Sequence, residues 1–107
     1  MQFNEIKKEM AEVNFETRRL DSNDYFEAVI VKDEFLKLTE KLEKFFGPPV
    51  WPSKNKLSTQ IEEAINEFGG VRSDQTLYFW SQESDTIFAM LWPWADGSHI
   101  TLKLAKK

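Results

Sequence analysis

The chain has 107 residues, 41% hydrophobic and 30% charged, which fits one folded domain and excludes global disorder. Its formal net charge of −4 argues against duplex nucleic acid and anionic membranes as partners, because an acidic surface repels phosphate. The absence of cysteine excludes disulfides, thiolate metal sites and cysteine nucleophiles. Residues 1–9 are charged and periodic, without the apolar stretch of a signal peptide. The longest apolar run, residues 87–94, is short and interrupted at Pro93, so no membrane span is expected. These features together suggest a cytoplasmic location.

Taken in chain order, Phe3, Ile6, Met10 and Val13 recur at helical spacing and predict a helix over residues 2–13. Residues 14–20 carry no clear period, and the packing of residues 1–20 is left open. Asp21-Ser22-Asn23-Asp24 is turn chemistry. Residues 25–31 contain Val29-Ile30-Val31, whose branching favours a strand, although its place in a sheet does not follow. Asp33 is placed to cap a helix over 35–46 with the apolar stripe Phe35, Leu38, Leu42 and Phe45, and Glu40 and Lys44 pair on its outer face. Gly47 and Pro48-Pro49 end that helix.

The proline-rich connector 47–56 is stiff, and its Lys54-Asn55-Lys56 forms a small basic spot. A further helix over 57–68 has Leu57, Ile61, Ala64, Ile65 and Phe68 on one stripe and stops at Gly69-Gly70. From residue 76 the period changes to 2, giving strands at 76–81, 86–94 and 99–104. The expected architecture is a single α+β domain over residues 1–107, with helices packed on an antiparallel sheet. The element order is α-β-α-α-β-β-β, ending in a C-terminal three-stranded meander.

Asp96-Gly97 is a strong hairpin signal, and a two-residue turn there pairs Pro93 with Ile100, Leu91 with Leu102 and Ala89 with Leu104. Ile87, Ala89 and Leu91 then share a core face with Ile100, Leu102 and Leu104. The opposite face receives Phe88, Met90, Trp92 and Trp94 beside His99, Thr101 and Lys103. A tight turn at 82–85 adds Leu77 and Phe79 to that second face and sends Tyr78 and Trp80 to the core. Either the N-terminal helix covers the second face, or a bulge alters the register, or the rings are an interaction surface.

Catalytic apparatus is not legible. His99 is the only histidine, placed after a turn where an exposed polar residue is ordinary. Asp96, Ser98 and His99 at a hairpin tip cannot assemble a hydrolase triad. The run from Asp21 suggests a calcium loop but has Phe26 where glycine is needed and Lys32 where glutamate is needed. There is no phosphate-binding glycine motif, and no cofactor is expected. Glu27, within a strand among apolar residues, reads as the wet side of an edge strand. Pro49-Val50-Trp51-Pro52 fits a PxxP pattern, but a rigid connector with Trp51 packed on the fold is the simpler account.

The leading expectation is a small non-enzymatic interaction module. It would present Phe88, Met90, Trp92 and Trp94, with His99 and Trp51, to a protein partner or a second copy in a homodimer. The alternative is a small-molecule-binding domain or enzyme with a pocket between the proline-rich loop and the sheet, using Trp51, Trp92, Trp94 and His99. Single-stranded nucleic acid stacked on the rings is disfavoured by the acidic balance.

Overall fold

The computed structural model describes residues 2–52 and 57–107, so the basic spot at Lys54–Lys56 lies outside the described residues. Five strands form one antiparallel sheet: β1 (Thr17–Asp21), β2 (Tyr25–Val31), β3 (Thr76–Gln82), β4 (Asp85–Pro93) and β5 (His99–Lys106). Their order across the sheet is β1-β2-β5-β4-β3. With α1 (Phe3–Met10), α2 (Phe35–Phe46) and α3 (Thr59–Ile65), the described residues make an α+β fold. The meander β3–β4–β5 is present as expected. Strand β1 is an addition, since its Thr-Arg-Arg-Leu-Asp sequence has no apolar alternation and all its residues are exposed. It makes β2 an interior strand, so Glu27 does not lie on a sheet edge.

The C-terminal register follows the expected pairs Pro93–Ile100, Leu91–Leu102 and Ala89–Leu104. The tip is wider than a two-residue turn. Pairing stops at Trp94 and His99, where the Trp94 N–H donates to the His99 carbonyl at 2.9 Å. Widening a turn equally on both sides leaves the register unchanged. Gly97, at φ 72, supplies the left-handed position that this tip requires. At the other hairpin, the tight turn over Glu83-Ser84 pairs Tyr78 with Ala89 and Phe79 with Phe88.

Both sheet faces carry apolar clusters. Helices α1 and α2 cover the first, where Ile6, Met10, Leu38 and Leu42 pack on Ala28, Ile30, Ala89, Leu91, Leu102 and Leu104. Each such fully buried large aliphatic side chain contributes roughly 1.5–3 kcal/mol relative to exposure. Lys41 ties the two helices together through ion pairs to Glu9 and Glu12, and Lys44 reaches Glu9 at 3.6 Å instead of pairing along its own helix. The capping role expected of Asp33 is not taken up: a 3-10 turn at Lys32–Glu34 leads into α2 without a side-chain cap.

The N-terminal helix therefore does not cover the second face. That role falls to α3, capped by the Ser58 hydroxyl on the Ile61 N–H, and to the connector. Ile65, Leu77, Phe88, Met90 and Ala105 form the buried centre there, with Val50, Trp51, Leu57, Ile61 and Phe68 packed around it. The chain passes from one face to the other around β3. The Val50 N–H donates to the Leu77 carbonyl at 2.8 Å, and the Leu77 N–H donates to the Trp51 carbonyl at 3.0 Å. This short bridge covers the start of the β3 edge at Leu77 and holds the Pro49–Pro52 segment as a packed connector.

Candidate functional site

Alternation along β4 sends Phe88, Met90, Trp92 and Trp94 to the second face, but α3 divides them. Phe88 and Met90 have 0% exposure, so an open platform running through them is ruled out by the helix that lies on them. Trp92 is half-buried, while Trp94 is 37% exposed and belongs to neither apolar cluster. The accessible surface is thus the part of this face that α3 leaves uncovered, across β1, β2, β5 and the tip of β4.

Trp94 is exposed but held. Its indole N–H donates to the Thr101 hydroxyl at 2.8 Å, and its ring lies 4.7 Å from the His99 ring. The Arg19 guanidinium sits 5.5 Å from its centroid. Arg19 gets there through a β-bulge: the β1–β2 register slips between Arg18 and Leu20, and the extra residue is Arg19. Bulges commonly re-aim a side chain in this way. Arg19 also meets the Glu27 carboxylate at 3.4 Å, and Glu27 accepts the Tyr25 phenol hydrogen bond at 2.5 Å. Burial first, and then Glu27, push the Tyr25 phenol well above its ordinary range, so it remains a donor.

A second cation–ring group adjoins the first. The Lys103 ammonium lies 3.8 Å from the Trp92 centroid and 6.0 Å from that of Phe68, and the Arg72 guanidinium lies 5.9 Å from Trp92. Among the described residues, Lys103 has no carboxylate partner. The Arg72 carbonyl accepts the Trp51 indole N–H at 3.0 Å, so the chain Trp51, Arg72, Trp92 is continuous. The Trp92 indole N–H is buried with no acceptor among the described residues. Such a donor costs about 1–3 kcal/mol unless something accepts from it.

His99 is held between two carboxylates. Its Nδ1 is 2.6 Å from Asp96 and its Nε2 is 2.7 Å from Glu16. Donation from both ring nitrogens requires the imidazolium. The Asp96 hydrogen bond, aided by Glu16 and opposed by partial desolvation, holds the imidazole above its ordinary value. Asp96 is lowered in turn by the Ser98 N–H and by His99. The arrangement tethers the hairpin tip to the segment leading into β1.

Of the six residues expected at a site, Trp92, Trp94 and His99 come together with accessible surface, Trp51 joins through Arg72, and Phe88 and Met90 are core. Arg19, Leu20, Arg72 and Lys103 complete the surface, with the buried Thr101 beneath Trp94. Nothing in the apolar pattern signals the first two, because they lie on an exposed strand with no apolar alternation. No cluster of three or more His, Asp or Glu fit to hold a metal occurs among the described residues, and no helix there is long and apolar enough to cross a membrane. Comparison of the chain with protein-family models, with curated proteins and with solved structures finds no match in any of the three.

Proposed function

We propose that this protein is a non-enzymatic protein-interaction module that meets its partner through the uncovered part of the second sheet face, centred on Trp94. The observation that carries the reading is that Trp94, 37% exposed, is anchored by Thr101 and flanked by His99 and Arg19. A large amphipathic ring fixed in one orientation offers contact area at little entropic cost, which is why tryptophan recurs at interface hot spots. Of the three cations laid on ring faces, Arg19 is shared with Glu27 and Arg72 with Asp74, while Lys103 has no carboxylate among the described residues and is the charge left for a partner. A partner face with complementary negative charge fits this surface, and a second copy is the competing occupant.

The test uses variants retaining Trp94 as the sole tryptophan, with acrylamide quenching followed across a concentration series. Strong quenching at all concentrations supports a surface for another protein, and quenching lost on concentration supports a second copy. Protection from quenching at every dilution would sink the reading.

A small-molecule alternative would use a different place from the expected pocket between the proline-rich loop and the sheet. An open recess of about 540 Å³ lies beside Trp94, lined by Arg72, Ser73, Asp74, Pro93 and Ala95, and Trp51, Trp92 and His99 do not line it. A thermal-shift screen of metabolites separates the two, since a reproducible shift abolished by Arg72→Ala supports the recess.

A further inference from the structure

We infer that the outer edge of β1 receives an acidic, extended segment of a partner protein as an additional strand. This rests on the proposed interaction role and specifies how the partner docks.

The two edges of the sheet differ. The β3 edge is covered at one end, by the isolated Trp51–Leu77 bridge, with Val50 and Leu77 N–H groups engaged. The β1 edge carries no such cover among the described residues, and every residue from Thr17 to Asp21 is exposed. An edge of this kind presents backbone donors and acceptors ready to pair with another chain.

The side chains decide which chain fits. The bulge puts Arg19 on the second face beside Trp94, with Leu20 48% exposed next to it. Arg18, paired with Ala28, points to the first face, its guanidinium 5.7 Å from the Phe15 ring. Both sides of the edge therefore offer a guanidinium beside an aromatic ring. Asp21 is answered by Lys7, and Glu27 by Arg19 and Tyr25, whereas Arg18 has no carboxylate among the described residues. An incoming carboxylate on the first face meets Arg18, unpaired among the described residues, and one on the second face meets Arg19, which it would share with Glu27.

A second copy is a poor occupant. The symmetric antiparallel register that pairs all of Thr17–Asp21 with itself is centred on Arg19 and would set one guanidinium against its twin. Like charges opposite each other in a sheet are destabilising. The feature that discourages self-pairing thus selects for an acidic strand.

The experiment titrates the whole protein with a short blocked peptide of alternating Glu and Val, its Lys–Val counterpart, and a Glu–Val peptide N-methylated along one edge. Readouts are amide chemical shifts and hydrogen exchange in β1, together with Trp94 fluorescence. The expected result is binding of the Glu–Val peptide alone, with new protection of β1 amides. Replacing both arginines (R18Q/R19Q) should weaken it by about tenfold or more, the scale of a lost charge-assisted contact. Unchanged amide protection in β2 and β5 certifies that this variant is folded.

Equal binding of the N-methylated peptide at Trp94 would overturn strand addition while leaving the Trp94 surface standing. Protection of β1 with no response at Trp94 would support strand addition and count against the Trp94-centred role. Equal binding of the Glu and Lys peptides, or binding of neither, would overturn the inference.

Discussion

The indole N–H of Trp94 donates to the Thr101 hydroxyl at 2.8 Å, so the tryptophan at the hairpin tip is fixed by the neighbouring strand while its ring faces outward. Thr101 itself is buried. Removing the acceptor with Thr101→Val should cost about 1 kcal/mol, the net worth of one hydrogen bond, and should raise the mobility of the ring. Time-resolved fluorescence anisotropy of a variant keeping only Trp94 reads the mobility, and urea unfolding reads the stability. Trp94→Ala should cost little more than this.

The core side of the same strands should behave very differently. Leu91 and Leu102 face each other in the ladder and are buried, as is Phe88 on the opposite face under α3. Each leucine replaced by alanine should lose about 2–5 kcal/mol, and Phe88→Ala about 3–5 kcal/mol. Urea midpoints at unchanged slope give these values. A Phe88→Ala loss smaller than that of Trp94→Ala would contradict the placement of α3.

The His99 clamp sets a pH dependence whose sign follows from the direction of the shift. Folding raises the imidazole above its ordinary value of 6.5. Its contribution is therefore fully present below that value and is lost as pH rises through the higher folded value. Asp96 is lowered below 3.8, so its contribution is present above 3.8 and lost as pH falls through the lower folded value. His99→Gln should flatten the decline that begins as pH rises above the ordinary imidazole value. Stability profiles of the two proteins over that range, with imidazole titration by NMR, test it.

The bulge at Arg19 gives a deletion experiment. Without Arg19, the pairs Thr17–Val29, Arg18–Ala28, Leu20–Glu27 and Asp21–Phe26 become one continuous ladder. The deletion protein should fold, with β2 amides as protected as before. Trp94, having lost the guanidinium above it, should become more accessible to acrylamide. A deletion protein that fails to fold would mean that the bulge is needed by the sheet itself.

What could be read in the sequence divides along physical lines. The meander, its register and the faces of Tyr78, Phe79, Phe88 and Leu91 follow from period 2 and turn chemistry, which are local. Strand β1 was illegible because an exposed, charged edge strand has no apolar period to display. Which helix lies on which face was also illegible, since α1, α2 and α3 are all amphipathic and pattern does not say which apolar surface each one meets. The site suffered from both gaps. Trp92, Trp94 and His99 were accessible to reasoning along one hairpin, but Arg19 and Arg72 arrive from distant segments and only tertiary placement brings them to the rings.

The strand order has a consequence for how the molecule comes together. Strands β1 and β2 on one side, and β3 and β4 on the other, meet only through β5. A β1–β2 hairpin alone is marginal in water and has no cover for its inner edge. The β2–β5 ladder joins segments far apart in the chain, so its loop-closure entropy falls due before its contacts form. Because β4 and β5 are joined by a short hairpin, the costly step is the docking of the β3–β4–β5 meander, through β5, onto the β1–β2 hairpin. A chain stalled before that event would expose the apolar edge of β2, where Ala28 and Ile30 lie, to whatever strand it met first.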